Sequence, residues 1–151
     1  MRAVSSFPTM KTLVSDLALL AGRFGLRDIY VFGSRAEEIA ARSEGRVSSE
    51  DAGASDADIA VEPLPGSRLD AHERVRLAQE LEDLLGVPRV DLVVLSEARP
   101  ILALDVVRGA LLYTSDPLAQ AEQELYILRR AGDLLPLQRD RVKEVLTGGA
   151  R

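Results

Sequence analysis

Ile29-Tyr30-Val31-Phe32-Gly33-Ser34-Arg35-Ala36 and Ser55-Asp56-Ala57-Asp58-Ile59-Ala60-Val61 are the two stretches whose reading decides the fold. In the first, four apolar residues stop at a glycine, and a helix is expected from Ser34. Glycine allows a ligand close to the backbone, Ser34 supplies a hydroxyl, and the unpaired N–H groups of a helix start favour an anion. The shape suits phosphate. In the second, two acids stand at i and i+2 where a strand begins, so Asp56 and Asp58 share one face of the sheet. Converging carboxylates repel unless a cation sits between them, and such hard oxygens suit Mg²⁺, usually held by one or two carboxylates plus substrate phosphates. The plainer readings are a turn-forming Asp pair and a Ser34 that merely caps a helix. Together the stretches describe a site for a metal-bound nucleotide.

A third acid lies in Val90-Asp91-Leu92-Val93-Val94-Leu95, a run expected to be a strand buried on both faces. Burying an acid there costs several kcal/mol unless it is paired or metal-bound, so Asp91 requires a reason.

Outward from these stretches, helix and short strand alternate. Met10, Leu13, Val14, Leu17, Leu20, Ala21 and Phe24 carry helical spacing, with Gly25 placed to end the helix. Leu26-Arg27-Asp28 reads as a short connection, 36–42 as a short helix, and 43–54 as a solvated loop. A strand over 58–62 ends at the turn 63–67. Leu69 to Leu85 then marks a second long helix, stopped by Gly86 and Pro88. Ile101 to Val107 suggests a helix ending at Gly109, and 110–114 a short edge strand. Ser115-Asp116-Pro117 opens a helix carrying Leu118, Ala121, Leu125 and Leu128 on one stripe, either core or partner surface. Leu137 to Leu146 reads as a last helix before a frayed tail. The alternation gives an α/β reading.

Gly33-Ser34, then Ser55-Asp56-Ala57-Asp58-Ile59, then Val90-Asp91-Leu92-Val93 resembles the polymerase-beta-type nucleotidyltransferases, and among them the minimal nucleotidyltransferase group. The resemblance spans roughly 29–115. It departs from the family in the segment 35–55, longer than the usual gap, and in Glu37-Glu38, where an Arg-Gly pair is common. It implies an α+β fold with a small mixed sheet and helices packed on one side. It also implies a nucleotidyltransferase domain over 1–116 and a C-terminal helical extension of the same domain over 117–151. The activity it implies is Mg²⁺-dependent transfer of AMP from ATP to a tyrosine of a cognate HEPN toxin, making the chain an antitoxin by AMPylation. Asp56, Asp58 and Asp91 would be the catalytic and metal residues, with two Mg²⁺ ions expected, and Gly33, Ser34 and Arg35 the nucleotide-binding residues. For Arg35 the alternative reading is a surface residue. Transfer to tRNA or to a small hydroxyl compound is one alternative, and a non-catalytic antitoxin acting by binding alone is another.

Net charge is −5 and aromatics make up 4%, so extensive nucleic-acid binding, which needs clustered Lys and Arg and stacking platforms, is not expected. The acidity agrees better with a protein substrate. Cysteine is absent, and no signal peptide or membrane span is read, so a cytoplasmic protein is expected. Homo- or hetero-oligomerisation stays open. His72 and the insertion's acids read as solvated surface, and Tyr113 and Tyr126 as packing residues.

Overall fold

The computed structural model describes residues 10–44 and 56–148, with side chains over 13–44 and 56–133. The loop expected within 45–54 lies outside the described residues. Helix α1 (Met10–Phe24) ends where Gly25 takes the left-handed conformation, φ 66°. That tight reversal needs no further linker, so Leu26-Arg27-Asp28, expected as a connection, already belongs to β1 (Leu26–Phe32). A single 3₁₀ turn (Gly33–Arg35) leads into α2 (Ala36–Ser43). After β2 (Ala57–Pro63), Asp70 opens α3 (Ala71–Leu85) with a capping box. Its carboxylate accepts from the Glu73 N–H at 2.8 Å, the Glu73 carboxylate accepts from the Asp70 N–H at 3.2 Å, and Gly86 closes the helix at φ 66°. Then follow β3 (Val90–Val94), α4 (Pro100–Arg108), β4 (Ala110–Thr114) and α5 (Pro117–Gly148).

The sheet order is β3-β2-β1-β4, with β1 antiparallel to β2 and β4, and β3 parallel to β2. This is the expected small mixed sheet of an α+β fold. Because Ile29 to Phe32 are apolar in succession, β1 needs cover on both faces. Ile29 and Val31 pack with Ile59 and Val61 under Leu17 of α1, Ile39 of α2, and Leu77 and Leu81 of α3. Burial of each such leucine contributes about 2 kcal/mol. Tyr30, Phe32 and Ala60 face the other way, into a smaller core with Ala103 and Val106 of α4 and Ile127 of α5. Helices α1 to α3 thus occupy the expected side, and α4 with the first part of α5 covers the opposite one.

Two expectations at the C-terminal end are corrected: that two helices follow Pro117, and that Tyr126 is a packing residue. The helix opened by Pro117 and the one expected over Leu137 to Leu146 are a single helix running through Pro136. An interior proline forfeits one backbone hydrogen bond, which a long helix absorbs without ending. The Leu stripe is not core. Leu118, Leu125 and Leu128 are exposed, as is Tyr126, because α5 seats Gln120, Ile127 and Ala131 inward instead. His72 is exposed as expected, and Tyr113 packs beside the larger core. Among the described residues, no helix is long and apolar enough to cross a membrane.

What seats α5 is polar. Asp28 is fully buried; it accepts from Arg27 Nε at 2.9 Å, Arg27 Nη2 at 2.7 Å and Thr114 Oγ1 at 2.6 Å, while Arg27 also donates to Gln123 of α5. One turn away, Gln120 donates to Tyr30 Oη at 2.8 Å and to Glu124. Burial pushes the Tyr30 phenol up to about 12, against the lowering effect of the Gln120 hydrogen bond. Asp28→Ala leaves a nearly buried guanidinium without its carboxylate, which costs about 3 kcal/mol. Urea unfolding of Asp28→Ala beside wild type measures that loss, and a change within 0.5 kcal/mol would contradict the role of this cluster.

Candidate active site

At the end of β1, Phe32 is extended, with φ −140° and ψ −179°, and the chain then turns through Gly33 at φ +76°. The Ala36 N–H donates to the Gly33 carbonyl and closes the 3₁₀ turn, so α2 begins at Ala36 rather than at Ser34. The Ser34 side chain is not the cap of α2; the residue before α2 is Arg35, and it makes no side-chain capping bond. Ser34 therefore stands exposed at the tip of the turn. Gly33 is fixed by two demands. Its φ is one that L side chains rarely adopt, and a Cβ added there would lie 2.4 Å from Asp58 Oδ2.

Sheet register assembles the acids. Phe32 of β1 is opposite Asp58 of β2, and Asp58 is opposite Asp91 of β3, so the three stand in one row across the sheet. Asp56 lies two residues ahead of Asp58, exposed and on the same face by strand alternation. This face is the one that α4 and α5 cover further along, leaving the acids at its uncovered end. The Asp58 carboxyl is pushed above its ordinary range, first by burial and then by the negative charges of Asp91 and Asp56. The three acids therefore sense one another.

Asp91 corrects one premise. Strand β3 is at the sheet edge and only half-buried, so the Asp91 side chain is 47% exposed and ion-paired with Arg89 Nε at 3.3 Å. Burial does not demand a partner there; the row with Asp58 is what gives Asp91 its significance. Arg89, which the sequence reading passed over, is the nearest cation to this acid in the chain's own ion pairs. Arg35 does not lie on the surface. It is 4% exposed, and its Nε donates to Glu38 Oε2 at 2.8 Å while Nη2 forms an ion pair with the same oxygen at 2.8 Å, tying the turn to α2.

Among the described residues, no three His, Cys, Asp or Glu side chains form a ready-made cage. The chemistry nonetheless fits an ion held by one or two carboxylates and completed by substrate phosphates. Asp58 is desolvated and faces like charge, and Gly33 leaves room directly beside its carboxylate.

The family model described as polymerase beta, nucleotidyltransferase matches residues 18–118. Solved structures give the same fold. A chain of a toxin–antitoxin structure with AMP-PNP is 24% identical with a TM-score of 0.64, the match covering 88% of this chain and 98% of that one. A chain of the tri-AMPylated Shewanella oneidensis HEPN toxin in complex with MNT antitoxin is 23% identical with a TM-score of 0.62, covering 91% and 99%. A chain of the toxin–antitoxin MntA–HepT is 23% identical with a TM-score of 0.61, covering 90% and 98%. No curated protein matches the chain at a significant level.

Raising a carboxyl's folded pKa above its unfolded value means that the folded state holds the proton more tightly. Stability then falls as pH rises from the ordinary carboxylate range through the raised value, and the penalty persists at neutral pH. Asp58→Asn removes it. In EDTA, Asp58→Asn is expected to melt above wild type at pH 7, with the gap closing on acidification below the ordinary carboxylate range. Thermal melts across pH check this, and a variant that melts lower at pH 7 would contradict the assigned repulsion.

Proposed function

Because the chain belongs to the polymerase-beta nucleotidyltransferase family, we propose that it transfers AMP from ATP to a hydroxyl, that of a tyrosine on a cognate HEPN toxin, and so acts as an antitoxin. The observation that carries the transferase reading is the row of Asp58 and Asp91 beside the Gly33 turn, with Asp56 two residues ahead. Support for the acceptor comes from the fold shared with chains of toxin–antitoxin structures, one with AMP-PNP and one with a tri-AMPylated HEPN toxin. The net charge of −5 favours a protein acceptor over a nucleic acid. Exposed Leu118, Leu125 and Leu128 give α5 an apolar face suited to a protein partner more than to a small hydroxyl compound.

In this mechanism the exposed Gly33-Ser34 turn receives the β and γ phosphates. The Ser34 hydroxyl and the turn's amides donate to phosphate oxygens and fix the triphosphate for in-line attack. Asp91, the more exposed of the two opposed acids, accepts the acceptor's hydroxyl proton. The freed oxygen bonds to the α-phosphorus, the bond from that phosphorus to the bridging oxygen breaks, and pyrophosphate leaves with its electron pair. Asp56, Asp58 and Asp91 would hold the divalent ions, two by family pattern, whose positive charge when bound offsets the charge on the attacking and leaving oxygens. Arg35, engaged with Glu38, holds the turn in place rather than reaching for phosphate.

ATP labelled at the α or the γ position, incubated with the protein and a co-purified HEPN partner, tests this reading. Label from the α position is expected on a partner tyrosine and label from the γ position in pyrophosphate. Asp91→Asn is expected to slow transfer by roughly 10²–10⁴-fold, the usual contribution of a general base. Transfer of the γ label would make the chain a kinase. Silencing of the partner with no label transferred would make it an antitoxin that acts by binding alone.

A further inference from the structure

We propose that Gly109 is a positioning residue for the nucleotide turn, acting through the backbone of β1. The inference rests on the reading of Gly33-Ser34 as the phosphate cradle. Gly109 lies between α4 and β4, where its N–H donates to the Val106 carbonyl at 3.0 Å. Its φ is −77°, so no left-handed conformation demands a glycine. Space does. A Cβ at this position would lie 2.3 Å from the Val31 carbonyl oxygen and 2.9 Å from both Cα and Cβ of Phe32. Two of those three atoms are backbone, which cannot swing aside as a side-chain tip would.

The residues touched are the last two before Gly33. The next residue after Gly109, Ala110, pairs with Val31 across β1 and β4, while Phe32 pairs with Asp58 across β1 and β2. The end of β1 is therefore held from one side by the Gly109-Ala110 corner and from the other by Asp58. Gly33, next in line, adjoins the Asp58 carboxylate, whose Oδ2 lies 2.4 Å from where a Cβ on Gly33 would stand. A side chain at 109 pushes Val31-Phe32 toward β2 and transmits the shift to the turn and to Asp58 together. Other glycines lack this coupling. An added Cβ at Gly22 in α1 or Gly132 in α5 meets nothing within 4 Å.

The test uses Gly22→Ala/Gly132→Ala as a stabilised parent, since alanine in an open helical position is favoured over glycine. Into it go Gly109→Ala and, separately, Val106→Ala, which removes core packing from α4 without adding an atom against the Val31 or Phe32 backbone. Each is titrated calorimetrically with AMP-PNP and Mg²⁺ and melted thermally, and ¹H–¹⁵N spectra follow the Gly33 and Ser34 amides. Gly109→Ala is expected to weaken AMP-PNP affinity on the order of tenfold or more and to move both amides. Val106→Ala is expected to lower the melting temperature while leaving affinity and those amides close to the parent. Equal affinity in Gly109→Ala and the parent, or equal losses in both variants, would overturn the proposal. A folded parent that does not bind AMP-PNP would instead remove the nucleotide reading, and the positioning role with it.

Discussion

Like charge held at close quarters is the constraint on which the rest of this structure depends. Asp58 is partly desolvated and faces Asp91 across the β2–β3 pair, with Asp56 two residues away, and its carboxyl is correspondingly hard to ionise. A chain free to relax would splay these groups apart. Here it cannot, because β2 is an inner strand locked antiparallel to β1 and parallel to β3, and its apolar residues are fully buried. Leucines of α1 and α3, each contributing about 2 kcal/mol on burial, supply the stability against which the repulsion is tolerated. The fold thus carries a local electrostatic cost that a bound cation would relieve.

The same constraint explains the glycine at the turn. A residue with a side chain at position 33 would need an unfavourable φ and would collide with the carboxylate whose position matters most. Charge, sterics and backbone conformation converge on one corner of the sheet. The polar cluster around Asp28 plays a different part at the opposite end of β1. Asp28, Arg27, Thr114, Tyr30 and Gln120 tie α5 to the sheet through directional bonds, so the helix is oriented there by hydrogen bonding as much as by apolar contact. That leaves the leucines of its outer face exposed.

Local signals in the sequence carried much of this. Gly25 and Gly86 mark their helix ends by a left-handed conformation that depends on a few neighbouring residues, whereas the Asp70 capping box became visible only in the structure. The spacing of Asp56 and Asp58 and the apolar run before Gly33 placed the site's two halves on strand ends. What was not legible depends on partners distant in the chain. That β3 is an edge strand, which changes the meaning of Asp91, follows from sheet order and not from Val90 to Val94 themselves. Arg35 read equally as a phosphate ligand or a surface residue, because its burial and its ion pair with Glu38 do not show in Gly33-Ser34. Asp28 looked like a linker residue because Thr114, which donates to it, lies 86 residues away. Gly109 read as an ordinary helix stop, since nothing near it in sequence announces the β1 backbone pressed against it.

On the proposed function this corner takes a nucleotide and a divalent ion together, each completing the site for the other. Urea unfolding with Mg²⁺ alone, AMP-PNP in EDTA, and both combined tests this most directly. Little stabilisation is expected from either alone and about 2.7 kcal/mol from the pair at a hundredfold excess over the dissociation constant. Equal stabilisation by AMP-PNP in EDTA, or none under any condition, would contradict it.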